Sequence, residues 1–417
     1  MKKIVGIIAG LALIAGFAFA DEPDVTPTVS SFKGDASLEW VYDLQNETHG
    51  LHNKESTEFK IVFVPETKKA TEGSDLWGDL EIKVGKAEIA AGAPVTLPTV
   101  SIEHAKIHFS EDDFYVRLNI RQPGLSLGGG KYVLATRSDD GAKANPAQSV
   151  VLTGKNTEAI VGIGGFTLEF GLKDTVDFNL QFADNGITKT KKYAFVFDAS
   201  VKAVENLELV AGAGYSTEEE KFAIAAKASY KLGLTDTMYL RPSVGFAMKD
   251  KAKELGAALF FGWGAENSKA EFKSFSNSVV NIGDKCSDGV SFYLTSDLDK
   301  KYGFIFGVYD STFVPGLKVG ADFQADLKTV SDAWEFNAAA KYSNTFDIWT
   351  FDANFGIQAK NAAKKTNTGF LYGFGISTDN SIIQNTKLYA NYSGEKAAKI
   401  GGADDKGKIT IGTQIHF

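Results

Sequence analysis

The feature that most constrains this chain is an alternation of apolar and polar residues. It recurs in segments of about seven to eleven residues. In Phe166–Leu172 every second residue is Phe or Leu, and those between are Thr, Glu and Gly. Tyr193–Ala203 and Trp349–Ala359 repeat the pattern. A period of two is that of a β-strand with one apolar face and one polar face. After Ala20 no apolar run is long enough for a transmembrane helix.

The length and number of these segments favour a membrane barrel over a soluble sandwich. About twenty segments are found, most longer than the five or six residues typical of a strand. The mean hydropathy of −0.11 fits apolar residues that are spread over alternate positions. We therefore predict an all-β protein, an antiparallel transmembrane β-barrel of roughly 16–20 strands. A soluble β protein is the alternative.

Aromatic residues near strand ends support the barrel, because Trp and Tyr collect at membrane interfaces. The residues predicted to form these girdles are Tyr193, Tyr215, Tyr230, Tyr239, Trp263, Tyr302, Tyr309, Trp334, Tyr342, Trp349, Tyr392 and Phe417.

The last ten residues, Lys408–Phe417, read as the strand that closes the barrel. Ile409, Ile411, Ile415 and Phe417 alternate with polar residues, and a tilted strand of about ten residues crosses a bilayer. A final strand with an aromatic last residue resembles the closing strand of bacterial outer-membrane barrels. The alternative is an edge strand of a soluble sheet.

The first twenty residues predict a cleaved signal peptide. Lys2 and Lys3 precede an apolar run, Ile4–Phe17, and Ala18–Ala20 has the A-x-A form of a cleavage site. Residues 1–20 are therefore assigned to the signal peptide, and Asp21 is the expected first mature residue.

The mature chain is predicted to be one outer-membrane barrel over residues 21–417. An irregular stretch, Gln122–Glu158, leaves an alternative open, in which residues 21–158 form a periplasmic β domain and residues 159–417 form the barrel. The strand number stays open, because the strand parity does not close between Gly264 and Lys301.

The connections between strands divide into two kinds. Those at Lys173–Thr175, Thr235–Thr237 and Pro315–Gly316 are tight, whereas Lys249–Glu254, Lys360–Thr368 and Ser393–Gly407 are longer and charged. Outer-membrane barrels have short turns in the periplasm and longer loops outside. The longer connections, Ser393–Gly407 among them, are therefore predicted to be external.

Residues 33–84 carry a specific resemblance. Gly34–Trp40 (GDASLEW), Thr48–Gly50 (THG) and Ser56–Phe63 (STEFKIVF) follow one another. This order resembles the opening of the treponemal major outer sheath protein family, including its repeat-encoded paralogues. The resemblance implies an outer-membrane porin that forms trimers and binds host matrix proteins through surface loops.

Neither catalysis nor a cofactor is predicted. Gly124–Gly128 matches G-x-S-x-G but lacks the helix that this motif requires. His104 and His108 share a strand face about 13 Å apart, too far to chelate one metal. The net charge of −8 argues against nucleic acid as a partner, and the single cysteine, Cys286, excludes an internal disulfide.

Charged residues on the polar faces of strands are the candidates for a pore lining, because they cannot cheaply face lipid. They are Glu169, Asp177, Asp198, Lys202, Lys227, Arg241, Asp322, Asp326, Glu335, Lys341 and Asp352. The sequence thus predicts an outer-membrane porin, a water-filled channel for passive diffusion of small hydrophilic solutes and ions. The alternative is a surface adhesin that binds host matrix proteins and uses the barrel as its anchor.

Overall fold

The computed structural model is built of β-strands wherever it describes regular structure. The described residues are 25–65, 75–90, 100–119, 125–126, 159–160, 164–184, 189–217, 220–249, 252–263, 288–296, 298–299, 302–327, 333–362, 365–378, 382–396 and 405–416. The predicted signal peptide and Phe417 lie outside them.

Twenty-three strands are found in these ranges. The first twelve are β1 Val25–Asp43, β2 Thr48–Pro65, β3 Asp75–Ala90, β4 Val100–Ser110, β5 Phe114–Asn119, β6 Leu125–Ser126, β7 Ala159–Ile160, β8 Gly164–Leu172, β9 Val176–Asp184, β10 Tyr193–Val201, β11 Leu207–Ser216 and β12 Lys221–Tyr230. The others are β13 Leu232–Gly233, β14 Met238–Lys249, β15 Ala252–Trp263, β16 Gly289–Ser296, β17 Tyr302–Asp310, β18 Leu317–Asp326, β19 Ala333–Phe346, β20 Trp349–Ala362, β21 Lys365–Thr378, β22 Thr386–Lys396 and β23 Asp405–His416.

Twenty-one of the strands form one antiparallel sheet that closes on itself, and β6 and β7 pair separately. β12 and its short continuation β13 both pair with β14, so they occupy one place in the sheet. The 21 strands therefore occupy twenty places around the ring. The ring is closed where β1 pairs with β23, from Asp35 opposite His416 to Asp43 opposite Lys408. The prediction of an antiparallel β-barrel is confirmed.

Strand pairing settles the strand order across Gly264–Lys301, where the predicted strand parity did not close. β15 pairs directly with β16, with Leu255 opposite Ser296. No further strand therefore lies between these two in the sheet. The strands of residues 25–119 are in the same sheet as those of residues 164–416, and β5 pairs with β8.

The alternation in sequence becomes an inner face and an outer face. In β10, Ala194, Val196 and Asp198 are each 0% exposed, whereas Phe195 and Phe197 are 43% and 41% exposed. The inner face is thus defined by the buried residues of each strand. The outer face carries large apolar side chains that the rest of the chain leaves exposed. A continuous apolar surface of this kind needs cover, and lipid provides it.

In the described part of the chain, no helix has the length and hydropathy to cross a bilayer.

The connections alternate between two ends of the barrel. Residues 173–175, 202–206, 234–237, 311–316 and 347–348 lie at one end, together with the start of β1 and the end of β23. We call this the turn end and the opposite end the loop end. Asp174, Asn206 and Asp347 have positive φ values of 59°, 63° and 57°. Such left-handed positions let short hairpins follow the strand twist, and Asn and Asp tolerate them.

Two of the predicted long loops are wrong. β14 extends to Lys249 and β15 begins at Ala252, so only two residues connect them. Likewise β20 ends at Ala362 and β21 begins at Lys365. The charged residues that indicated loops continue the strands instead, because a strand can extend beyond the apolar band of the membrane.

Two of the predicted girdle residues also lie elsewhere. Tyr239 and Tyr309 are each 4% exposed and belong to the inner face. The Tyr239 ring packs against Phe260 with centroids 5.7 Å apart, and it lies directly over Gly262 on the neighbouring strand. A tyrosine opposite a glycine fills space on the inner wall. Tyr215, Tyr230, Tyr302 and Trp349 do lie on the outer face, 42–50% exposed.

Candidate functional site

The candidate functional site is the polar inner wall of the barrel. β9 shows how the sequence builds it: Asp177, Asn179 and Gln181 are buried inward, and the Phe and Leu residues between them face outward. Many of the charged side chains on this wall are held in cross-strand groups.

The first group joins β9, β10 and β5. The Asn179 Nδ2 donates to Asp198 Oδ1 at 3.0 Å, and both side chains are 0% exposed. Asp177 accepts a hydrogen bond of 2.6 Å from the Tyr115 hydroxyl and forms an ion pair with Lys202. A buried carboxylate is stable only with such partners.

Arg117 and Glu169 extend this group along β5 and β8. The Arg117 Nη1 lies 3.7 Å from Glu169 Oε2, and its guanidinium lies 4.8 Å from the centre of the Tyr115 ring. On β11 and β12, Lys227 Nζ lies 2.5 Å from Glu208 Oε1, and Ser229 donates to Glu208 at 3.1 Å. Arg241 follows on β14, on the inner face beside the buried Ser243.

The second large group joins β18, β19 and β20. Asn337 Nδ2 donates to Asp322 Oδ1 at 3.0 Å and to Glu335 Oε1 at 3.3 Å. Gln358 donates to the same Glu335 oxygen at 3.1 Å, and Lys360 Nζ lies 3.5 Å from Glu335 Oε2. Asp322, Glu335 and Asn337 are at most 5% exposed. The group is therefore a fixed part of the wall.

Lys341 and Asp352 differ from these groups. Both lie on the inner face of the β19–β20 hairpin and are half-buried. Within the described part of the chain, neither forms a hydrogen bond or an ion pair. Asp326 lies at the end of β18, and its side chain is outside the described residues.

The seam between β1 and β23 has its own polar contacts. The Tyr389 hydroxyl of β22 passes over Gly412 and donates to Glu39 Oε1 at 2.5 Å. Lys408 Nζ lies 3.6 Å from Asp43 Oδ2. On the outer face of β23, Ile411 and Ile415 are 51% and 38% exposed, and Ile409 is half-buried. The seam is thus polar inside and apolar outside.

At the turn end, Asp288 precedes β16 and accepts hydrogen bonds from the Ser311 backbone N–H and hydroxyl, at 2.5 and 3.2 Å. Burial raises the pKa of Asp288, against the lowering effect of these bonds and of the Lys318 charge. No group of three or more His, Cys, Asp or Glu that could hold a metal occurs among the described residues.

Several inward-facing residues were missed in the sequence. They are Glu39, Tyr115, Arg117, Glu208, Lys318, Lys360 and Tyr389. Strand parity alone would have found Glu39, Arg117, Glu208 and Lys318, because each alternates with outward-facing residues of its strand. Lys360 was assigned to a loop, and Tyr115 and Tyr389 are aromatic residues that fit either face.

A closed sheet with an apolar outer face and a charged inner face defines an integral membrane protein of the β-barrel class. Comparison with known proteins places it more narrowly. The chain is 25% identical to the major surface protein MspTL of Treponema lecithinolyticum over 454 aligned residues, 78% of this chain and 77% of that protein. It is 31% identical to the major outer membrane protein MspA of Treponema maltophilum over 120 residues, 28% of this chain and 21% of MspA.

These two homologues confirm the resemblance to the treponemal major outer sheath proteins, and with the barrel they confirm the outer-membrane location. No protein-family model matches the chain. Among solved structures, Pseudomonas aeruginosa OpdQ aligns with a TM-score of 0.40 and 7% identity, over 93% of this chain and 97% of that one. Acinetobacter baumannii OccAB3 aligns with a TM-score of 0.40 and 8% identity, over 95% and 99%. At these scores the likeness adds nothing to the topology given by strand pairing.

Proposed function

We propose that the protein is an outer-membrane channel through which small hydrophilic solutes and ions diffuse passively. The observation that carries this proposal is the closed ring of twenty strand places with charged residues on its inner face. Barrels of about eight strands are filled by side chains, whereas those of about 16–18 strands enclose water. A ring of twenty places therefore has room for an aqueous path.

The mechanism needs no chemical step and no cofactor. Solutes enter a water-filled lumen whose wall carries both signs of charge. The cross-strand groups around Asn179 and Asn337 keep the wall fixed, because each buried carboxylate there has hydrogen-bond donors. Less constrained charges, such as Lys341 and Asp352, are available to passing solutes.

We also propose that residues 21–417 form one barrel after removal of residues 1–20. The pairing of β1 with β23 supports this proposal, because the first strand completes the ring. The turn end is then the periplasmic end. Accessibility of an epitope tag inserted between residues 397 and 404 on intact cells tests this orientation. Protection of the tag would contradict it.

The test of channel activity uses residues 21–417 folded in detergent and added to a planar bilayer. Heat-modifiable migration on a gel serves as the folding control, and boiled protein as the negative control. We expect discrete conductance steps from the folded protein only. Folded protein that gives no steps would contradict the channel.

A second function, adhesion to host matrix proteins, follows from the resemblance and is favoured by the similarity to MspTL, which is named a major surface protein. It predicts that liposomes carrying the protein bind a soluble matrix protein, and that shortening residues 397–404 to a two-residue turn abolishes binding while conductance persists. Trimer formation is likewise a prediction, which cross-linking in the membrane tests.

A further inference from the structure

We infer that Lys318 and Lys341 form an anion-binding site on the inner wall, which holds the carboxylate or phosphate of a passing solute. This inference rests on the proposed channel and names a solute class for it. It starts from the register of β18 and β19, which places Lys318 directly opposite Lys341.

Both lysines face inward. Their neighbours Val319 and Phe355 are 36% and 48% exposed on the outer face, and the alternation then directs Lys318 and Lys341 to the lumen. Like charges directly opposite each other on one face of a sheet are destabilising. An anion between the two ammonium groups removes this repulsion.

The other charges of the wall show how lumen cations are usually satisfied. Five of them lie within 4.0 Å of a carboxylate: Arg117, Lys202, Lys227, Lys360 and Lys408. Lys341 has no such partner among the described residues. Lys318 interacts electrostatically with Asp288 at the turn end. The site therefore has one compensated lysine and one uncompensated lysine.

The neighbours of Lys341 on β20 lie on the side away from Lys318. Asn354 lies directly opposite Lys341 on that side. The nearest acidic residue of the hairpin, Asp352, lies opposite Ser343 and is diagonal to Lys341. Lys318 is on the β18 side and Asp352 on the β20 side. An anion between the lysines is thus on the side away from Asp352.

The experiment measures block of channel current by inorganic phosphate in planar bilayers. The variants are Lys341→Gln and Lys318→Gln, with Lys387→Gln as the matched control. Lys387 is also inward-facing and without a partner in the described chain, but Gln414 rather than a lysine lies opposite it. We expect Lys341→Gln to raise the half-blocking phosphate concentration by about tenfold, the effect of losing one charge-assisted hydrogen bond. Lys387→Gln should change it by less than about twofold.

Equal effects of Lys341→Gln and Lys387→Gln would overturn the inference, as would no effect of Lys341→Gln. A second readout separates binding from structure: Lys341→Gln should leave the thermal midpoint unchanged or higher, because a repulsion is lost. A structural role beside Asp352 predicts a lower midpoint in Lys341→Gln.

Folded protein without conductance would overturn the proposed channel but not the anion-binding site. Calorimetric titration of the folded protein in detergent with phosphate then decides the inference. Heat of binding that is lost in Lys341→Gln supports it, and absence of binding to the unsubstituted protein overturns it.

Discussion

At the scale of single residues, the inner wall depends on glycines that lie under tyrosine rings. A Cβ added to Gly262 would lie 2.4 Å from Tyr239 Cζ, and one added to Gly412 would lie 2.9 Å from Tyr389 Cζ. Both glycines are directly opposite the tyrosines they contact. Glycine is therefore required there for close packing across strands.

Gly262→Ala is predicted to destabilise the folded barrel by about 1–3 kcal/mol, the usual effect of overpacking. The Tyr239 ring has to move, and Phe260 restricts that movement. Urea unfolding in detergent, followed by tryptophan fluorescence, measures the change. Gly233→Ala is the matched control, because nothing lies within 4 Å of its added Cβ. Equal stability of the two variants would refute the packing argument.

Buried polar residues contribute at the same scale. Glu335→Gln is predicted to lower the free energy of unfolding by about 1–3 kcal/mol, because its amide oxygen can accept from Asn337 and Gln358 only if its NH2 group faces the Lys360 ammonium. Asp352→Asn should change it by less than about 0.5 kcal/mol, since Asp352 has no partner in the described chain. The same urea titration compares the two variants. A larger loss of unfolding free energy in Asp352→Asn than in Glu335→Gln would contradict the stabilising role assigned to the group around Glu335.

At the scale of elements, alternation predicted most strands but not their ends. The segment Tyr193–Ala203 begins where β10 begins and runs two residues past its end, whereas Trp349–Ala359 begins with β20 and stops three residues before its end. The charged ends of β14 and β20 were mistaken for loops, because a polar residue does not distinguish a loop from a strand beyond the membrane. Tyr239 and Tyr309 were misplaced because an aromatic residue near a strand end fits either face.

Candidate wall residues were predictable where one strand suffices to assign the face, as for Asp177 and Glu335. Partners such as Tyr115 for Asp177 or Lys360 for Glu335 were not, because they depend on register between strands. The same limit applies to Lys318 opposite Lys341, which is a property of pairing and not of either strand alone.

The seam also belongs to this scale. Tyr389→Phe is predicted to destabilise the barrel by about 1–3 kcal/mol, because Glu39 loses a hydrogen bond to a charged acceptor across β23. Tyr372→Phe is the control, since its hydroxyl has no hydrogen-bond partner in the described chain. Urea midpoints of both variants test this prediction. A smaller loss of stability for Tyr389→Phe than for Tyr372→Phe would contradict a stabilising hydrogen bond between Tyr389 and Glu39 at the seam.

At the scale of the whole molecule, closure is what makes the chain a barrel. The pairing of β1 with β23 joins residues 365 to 381 positions apart, from Asp43 opposite Lys408 to Asp35 opposite His416, so no local pattern could specify it. The sequence nevertheless restricted the outcome, since a long apolar stripe on every strand has to be covered and a closed sheet leaves no unpaired edge. The outer apolar face and inner charged face then follow from one alternation.

The most direct test of a water-filled lumen is thiol modification during single-channel recording. Cys286→Ser provides the background, and Asn354→Cys on the inner face is compared with its neighbour Phe355→Cys on the outer face. A charged, membrane-impermeant methanethiosulfonate should lower the conductance of Asn354→Cys in discrete steps and leave Phe355→Cys unchanged. Conductance that responds at Phe355→Cys, or at neither position despite confirmed labelling of Asn354→Cys, would contradict an aqueous path along this inner wall.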